Sequence, residues 1–193
     1  MRVVTLQESG DGAGQPLFIE FVNTLHWDDD VPIELIGNLA DLNTWLAEHD
    51  LPSIDSDADL QALVDLRKHA RAAAEALVAG QAPAATDLEA LTDALAGATG
   101  HLVLLESVGG RSQLGFGVHD HASTIVPFRI ALSFANFLES GLRERLKLCA
   151  NPGCGFAFVD TSTNRTRRWC YMRYCGNRFK ARAFRGRHSG QVT

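Results

Sequence analysis

Cys149, Cys154, Cys170 and Cys175 are the only cysteines in the 193-residue chain, and they fall within 27 positions. They form two close pairs, each with four intervening residues, and fifteen residues separate the pairs. Two short loops of this kind can bring four thiolates onto one tetrahedral ion with bonds near 2.3 Å, the chemistry of a closed zinc site. The first loop, Ala150-Asn151-Pro152-Gly153, is built of turn formers. Gly155 follows the second cysteine, and Gly176 and Asn177 follow the fourth, where backbone amides must approach sulfur closely. Two disulfides would also use four thiols, but they belong to oxidising compartments. A redox pair normally has a two-residue gap. An iron–sulfur cluster is the remaining alternative. Four cysteines leave no open coordination position for a catalytic water, so the expectation is one structural Zn2+ per chain, folding a segment too small to fold alone.

The second chemical signal is charge. The chain carries a net −5, but residues 141–193 hold twelve Lys and Arg against Glu144 and Asp160, a net of +10. The first 140 residues carry six basic and twenty-one acidic residues, a net of −15. A basic segment beside an acidic body points to a polyanionic partner for the former. Arg178, Arg182 and Arg185 lie at i, i+4 and i+7 and would share one helical face, flanked by Arg173, Lys180 and Arg187. Arg165, Arg167 and Arg168 precede the third cysteine and are candidates for backbone contacts. The acidic body offers a second destination for every one of these cations, so intramolecular masking is a mechanism in its own right. Phe156, Phe158 and Trp169 read as the small core of the cysteine module rather than as base-stacking residues, and Phe179 and Phe184 can pack back on it.

The elements that position these residues read as α+β, mainly α-helical: a helical N-terminal domain with one β-hairpin, followed by a small four-cysteine module. Residues 1–15 are polar and glycine-rich and read as a mobile leader. Residues 16–146 form the front domain and residues 147–193 the cysteine module. Leu17, Phe21 and Leu25 recur at four-residue spacing behind Pro16, which suits a short helix, with a strand as the alternative. Trp27 and Asp28–Asp30 read as a loop. Asp41 is placed as the cap of a helix over Leu42 to His49, and Asp57 or Asp59 opens the longest helix, ending near Gly80. Thr86 opens another with a capping-box pattern. Residues 101–108 and 113–118 alternate about Gly109-Gly110 as a hairpin. Pro127 to Leu148 returns to helical spacing and is expected to run directly into Cys149.

Cys149 to Arg187 reads CANPGCGFAFVDTSTNRTRRWCYMRYCGNRFKARAFRGR. This resembles the CGNR zinc finger, through both cysteine pairs, the Phe158–Asp160 stretch, Arg168-Trp169-Cys170, the run Cys175-Gly176-Asn177-Arg178 and the basic tail. The front part is similar to the helical domain called ABATE, through Phe21-Val22-Asn23-Thr24 and the order of the two parts. The resemblance implies a bacterial, stress-related transcription regulator whose finger binds DNA.

Three function classes follow. The first is a DNA-binding regulator whose front domain senses an effector or dimerises. The second is a zinc-containing protein-interaction adaptor. The third is an enzyme: His119, Asp120 and His121 lie together, as do Asp28, Asp29 and Asp30, but no nucleophile–base or phosphate-loop motif accompanies them, and no catalytic residue is assigned. Asn23, Thr24, Trp45, His119 and Arg129 are residues able to line an effector cavity, although a buried Asn–Thr pair more often satisfies backbone groups. No apolar run approaches the roughly 18 residues of a membrane span, and the first residues hold no signal pattern, so a cytoplasmic location without a membrane partner is expected.

Overall fold

In the computed structural model, residues 2–5, 14–106, 112–118 and 121–189 are described. Apolar spacing builds a packed set of five helices: α1 (Leu17–Val22), α2 (Leu39–Glu48), α3 (Asp57–Val78), α4 (Ala85–Ala96) and α5 (Ala122–Glu139). The short α1 is the hub. Phe18, Ile19 and Phe21 are fully buried, and Phe18 meets Phe134 of α5 edge to face at 5.2 Å. Its Phe18 amide donates to Ser133 Oγ at 3.2 Å, so an orphan N–H of the first turn finds a partner on α5. Each large side chain buried in this way contributes about 1.5–3 kcal/mol.

The helix ends differ in detail from expectation. Asn38, not Asp41, caps α2 by accepting from the Asp41 amide, while the Asp41 carboxylate accepts from Asn38 Nδ2 at 2.7 Å. Ser56 caps α3, and Ala79 and Gly80, the latter at φ +72°, end it. The proposed Thr86 box is not formed, because α4 starts one residue earlier, behind Ala84, and has no side-chain cap.

Strands account for the largest differences. The expected hairpin is present as β4 (Gly100–Glu106) and β5 (Ser112–Val118), but β1 (Arg2–Thr5) joins the other edge of β5. The reading of residues 1–15 as a leader is therefore corrected over Arg2–Thr5; residues 6–13 lie outside the described residues. Trp27 and Asp28 are not loop residues. They end β2 (Leu25–Asp28), which pairs with β3 (Val31–Glu34) through a tight turn at Asp29 and Asp30. Both turn residues take positive φ (51° and 68°), the left-handed geometry that two-residue hairpins require and that Asp tolerates.

The expected rigid helix into Cys149 is also corrected. α5 stops at Glu139, and Gly141 at φ +70° turns the chain. A 3-10 turn then leads into β6 (Leu146–Leu148), which pairs with β7 (Ala157–Val159). Leu146, Ala157 and Val159 belong to the same apolar cluster as Phe18, Phe21 and Phe134. The outer edge of β7 is closed by two side-chain amides. Asn23 accepts from the Ala157 amide at 2.8 Å and donates to its carbonyl at 2.9 Å. Gln15 does the same at Val159. Thr24 beside it accepts from Arg67, which is 3% exposed and forks onto Glu34 of β3. Burial works against the Glu34 charge, but Arg67 and the Ile36 amide outweigh it and hold its carboxyl below the ordinary range.

Asn23→Ala should leave one buried N–H and one buried carbonyl of Ala157 without partners. A loss of about 2–4 kcal/mol is expected, read as a lower urea midpoint at unchanged slope. A loss under about 1 kcal/mol would show that this clamp does not hold β7 to the helices.

Candidate metal centre and basic helix

The four cysteines arrive from four places: the end of β6 (Cys149), the turn after it (Cys154), an extended loop (Cys170) and a single π-helical turn over Met172–Gly176 (Cys175). All four are buried, their sulfurs lie within 4.8 Å of one another, and among the described residues they form the one cluster of this kind. None is disulfide-bonded. Cys154 Sγ lies 3.7 Å from Cys170 Sγ, which lies 3.6 Å from Cys175 Sγ. A tetrahedron with bonds near 2.3 Å has edges of about 3.8 Å, so the spacing fits a four-thiolate metal site.

The chemistry of the set agrees. Cys154 and Cys170 hydrogen-bond Cys149 and hold its thiol low, while the hydrogen bond to Cys149 pushes Cys154 up to about 12. Cys170 is pushed up as well. Thiols this close oppose one another's ionisation, and a divalent cation is what would let all four ionise. The Asn151 and Cys170 amides face Cys149, the Phe156 amide faces Cys154, and Asn151 Nδ2 lies 3.7 Å from Cys175 Sγ. These donors suit thiolates. Phe158 is buried among the cysteines, with Phe156 and Trp169 packed against them, so the aromatics form the module's core as expected.

The β2–β3 hairpin holds the first knuckle directly. The Trp27 amide donates to the Cys154 carbonyl at 2.9 Å, and Arg71 of α3 bridges the Gly155 and Leu25 carbonyls. Gly155 sits at φ +64°, and a Cβ there would come within 2.6 Å of the Trp27 ring, so glycine is required twice over.

Asp160, fully buried after β7, organises the loop that leads to Cys170. It accepts from Lys147 Nζ at 2.6 Å, from the amide and hydroxyl of Ser162, and from the Arg167 amide at 3.0 Å. Burial alone would raise its carboxyl, but Lys147 and Ser162 outweigh it and hold the group well below the carboxylate range.

The predicted basic face is carried by α6 (Asn177–Ser189). Arg178 and Arg182 are engaged by the acidic turn of the front hairpin. Arg178 forks onto Asp28, with Nη2 to Oδ2 at 3.2 Å, and Arg182 reaches Asp29 as well as Asn151 Oδ1 at 3.0 Å. The Arg178 hydrogen bond holds the Asp28 carboxyl low. Lys180 and Arg185 are exposed; Arg187 lies in α6, with its side chain outside the described residues. Arg165 is exposed, 3.6 Å from Glu144. Arg168 lies over Trp169 at 5.3 Å, and Arg173 over Tyr174 at 4.8 Å. Arg167 differs: its guanidinium lies 4.6 Å over Phe158 and donates to the Trp169 and Cys170 carbonyls, which commits it to the finger itself. Phe179 stacks on Trp169 at 4.9 Å, whereas Phe184 is 56% exposed.

Of the acidic run, Asp28 and Asp29 meet arginines, while the Asp30 amide donates to the Gly153 carbonyl at 3.4 Å. The residues considered for an effector cavity do not converge. Asn23 serves the β7 seam, Thr24 bonds Arg67 and the Phe21 carbonyl, Trp45 stacks on His49 at 4.2 Å and Arg129 reaches the Asp50 carbonyl at 3.3 Å. His119 and Asp120 lie outside the described residues. Sequence reasoning missed the clasp partners of Arg178 and Arg182, and only the opposite charges of the two parts pointed toward them.

The fold is thus a helical body completed by a four-cysteine module fit to hold a metal ion. Residues 15–141 match the family ABATE, described as "Putative stress-induced transcription regulator", and residues 145–188 match the CGNR zinc finger. The chain belongs to the ABATE family and carries a CGNR zinc finger. None of the curated proteins matches it. Among the described residues no helix is long and apolar enough to cross a membrane.

The low Asp160 carboxyl stabilises the fold above its unfolded value of 3.8, and this contribution is lost as pH falls through the folded value. Asp160→Asn should therefore cost about 2–3 kcal/mol at pH 7, and the gap from the unsubstituted protein should narrow below about pH 4. Chemical unfolding from pH 7 to 3 measures it; a constant gap would remove the charge from the explanation.

Proposed function

We propose that this protein is a cytoplasmic transcription regulator that binds DNA through α6 of its finger, organised by one structural Zn2+ on Cys149, Cys154, Cys170 and Cys175. The observation that carries the reading is the presentation of Arg178, Arg182 and Arg185 along one helix rooted at the fourth cysteine. Arg173, Lys180 and Arg187 extend the basic surface, and Arg165 and Arg168 border it. Such a surface suits phosphate neutralisation, and arginine also grips guanine edges in pairs. Arg167 is left out of the contact set because its guanidinium already serves carbonyls of the finger. One helix gives a small footprint, so the proposal includes a homodimer through the front domain that presents two fingers to paired half-sites.

The clasp gives the reading a resting state. Asp28 and Asp29 stand where phosphates would, so DNA and the hairpin turn compete for Arg178 and Arg182. A second reading, a protein-interaction adaptor, is favoured by one observation: Tyr171, Met172 and Tyr174 are each about half exposed on the π turn.

Metal analysis of the full chain should give one zinc per protein, and Cys170→Ser should lose it. Two disulfides in the purified protein, or bound iron, would overturn the zinc assignment. Binding to a mixed duplex pool should weaken with salt at a log–log slope of about −4, as for about four neutralised phosphates. Asp28→Asn with Asp29→Asn should tighten binding roughly three- to tenfold, as loss of two exposed ion pairs implies. No salt-sensitive binding to any nucleic acid would leave the adaptor.

A further inference from the structure

Between the β2–β3 hairpin and the π turn lies a cavity of about 330 Å³. Four aromatic rings, Trp27, Phe156, Tyr171 and Tyr174, line it together with three of the four clustered cysteines, and the Asp28–Arg178 pair belongs to the same lining. Phe156 and Tyr171 meet edge to face with ring centres 5.8 Å apart, and Tyr171 and Tyr174 are perpendicular at 6.4 Å. The larger space among α3, α4 and α5, about 380 Å³, has acids and one histidine but no Phe, Tyr or Trp in its lining.

We infer that the cavity is a binding site for a nucleobase, with guanine the best match. The aromatic rings supply stacking surfaces for a flat ring, worth about 1–3 kcal/mol per base. The ion pair supplies a matched edge. After the two hydrogen bonds that join them, each Asp28 oxygen keeps a lone pair and Arg178 keeps unused N–H donors. A carboxylate beside a guanidinium is therefore an acceptor beside a donor, fixed in register by their own pairing. Every base presents donors next to acceptors. Guanine presents the most, with ring and amino N–H groups for the carboxylate and O6 and N7 for the guanidinium. A neutral base also leaves the ion pair intact, whereas an ionic ligand must first break it.

The same chemistry is offered by a free nucleoside and by an unstacked base of a nucleic acid. Calorimetric titration of the zinc-loaded full chain with guanosine, adenosine and cytidine, and with the single strands d(TTGTT) and d(TTTTT), separates them. Saturable binding of guanosine, at least tenfold tighter than adenosine or cytidine, is expected. A preference for d(TTGTT) over guanosine would assign the base to nucleic acid, and parity would assign it to the free nucleoside. Asp28→Asn and Tyr174→Ala should each weaken guanosine at least tenfold with zinc content unchanged. No saturation by guanosine or d(TTGTT) up to 5 mM, or binding indifferent to both variants, would overturn the site. Asp28→Asn moves the two readings in opposite directions, weaker for guanosine and tighter for duplex DNA, so either can fail without the other.

Discussion

Four thiols brought within one coordination sphere are the constraint on which the rest depends. Their sulfurs lie within 4.8 Å of one another. Protonated, they would be small apolar groups packed loosely together; ionised without a cation, they would repel one another. A divalent metal would resolve the conflict, because its charge would offset the thiolates and its bonds would fix the angles between four chain segments. The consequence reaches α6 directly. Cys175 occupies the turn from which that helix starts, so the site sets the direction in which Arg178, Arg182 and Arg185 leave the finger.

The finger is not a bead on a linker. Its first strand pair supplies Leu146, Ala157 and Val159 to the apolar cluster of the helical body, and side chains of residues 15 and 23 complete the hydrogen bonding of β7. On the opposite side the hairpin turn meets the knuckle through Trp27, Asp30 and Gly155. Movement of the finger as a rigid body would have to break buried amide pairs. Movement of α6 would break exposed ion pairs, the hydrogen bond from Arg182 to Asn151 and the Phe179–Trp169 contact, but none of the buried amide pairs of β7. The part of the molecule free to respond to a partner is therefore the helix beyond Cys175, not the metal site.

Legibility in the sequence tracked the range of the interaction. The cysteine site was readable because spacing and turn formers are local, and α3 and α5 because their periodicity is long. Where local signals conflicted, the reading slipped. Leu142 and Leu146 continue the helical spacing of α5, but Gly141 takes a left-handed conformation that ends it. Asp28–Asp30 looked like a solvated loop because paired aspartates seldom close a hairpin. Strand β1 was invisible because its partner β5 lies more than a hundred positions away. The clasp was invisible for the same reason: charge arithmetic showed that the two parts attract, but only the fold shows that Asp28 and Asp29 are the groups that meet α6.

The magnitude of that clasp decides what it can do. Each pair is exposed, so the two together contribute little and weaken with salt. That is too little to hold the finger in place, which the buried seam does instead, and too little to prevent DNA binding. It is enough to shift an affinity by several fold. Competing phosphates would meet the same arginines with the added gain of counterion release, which salt would also erode. Added salt would therefore weaken the clasp and its competitor together, and the competitor more, because several phosphate contacts are lost against two ion pairs.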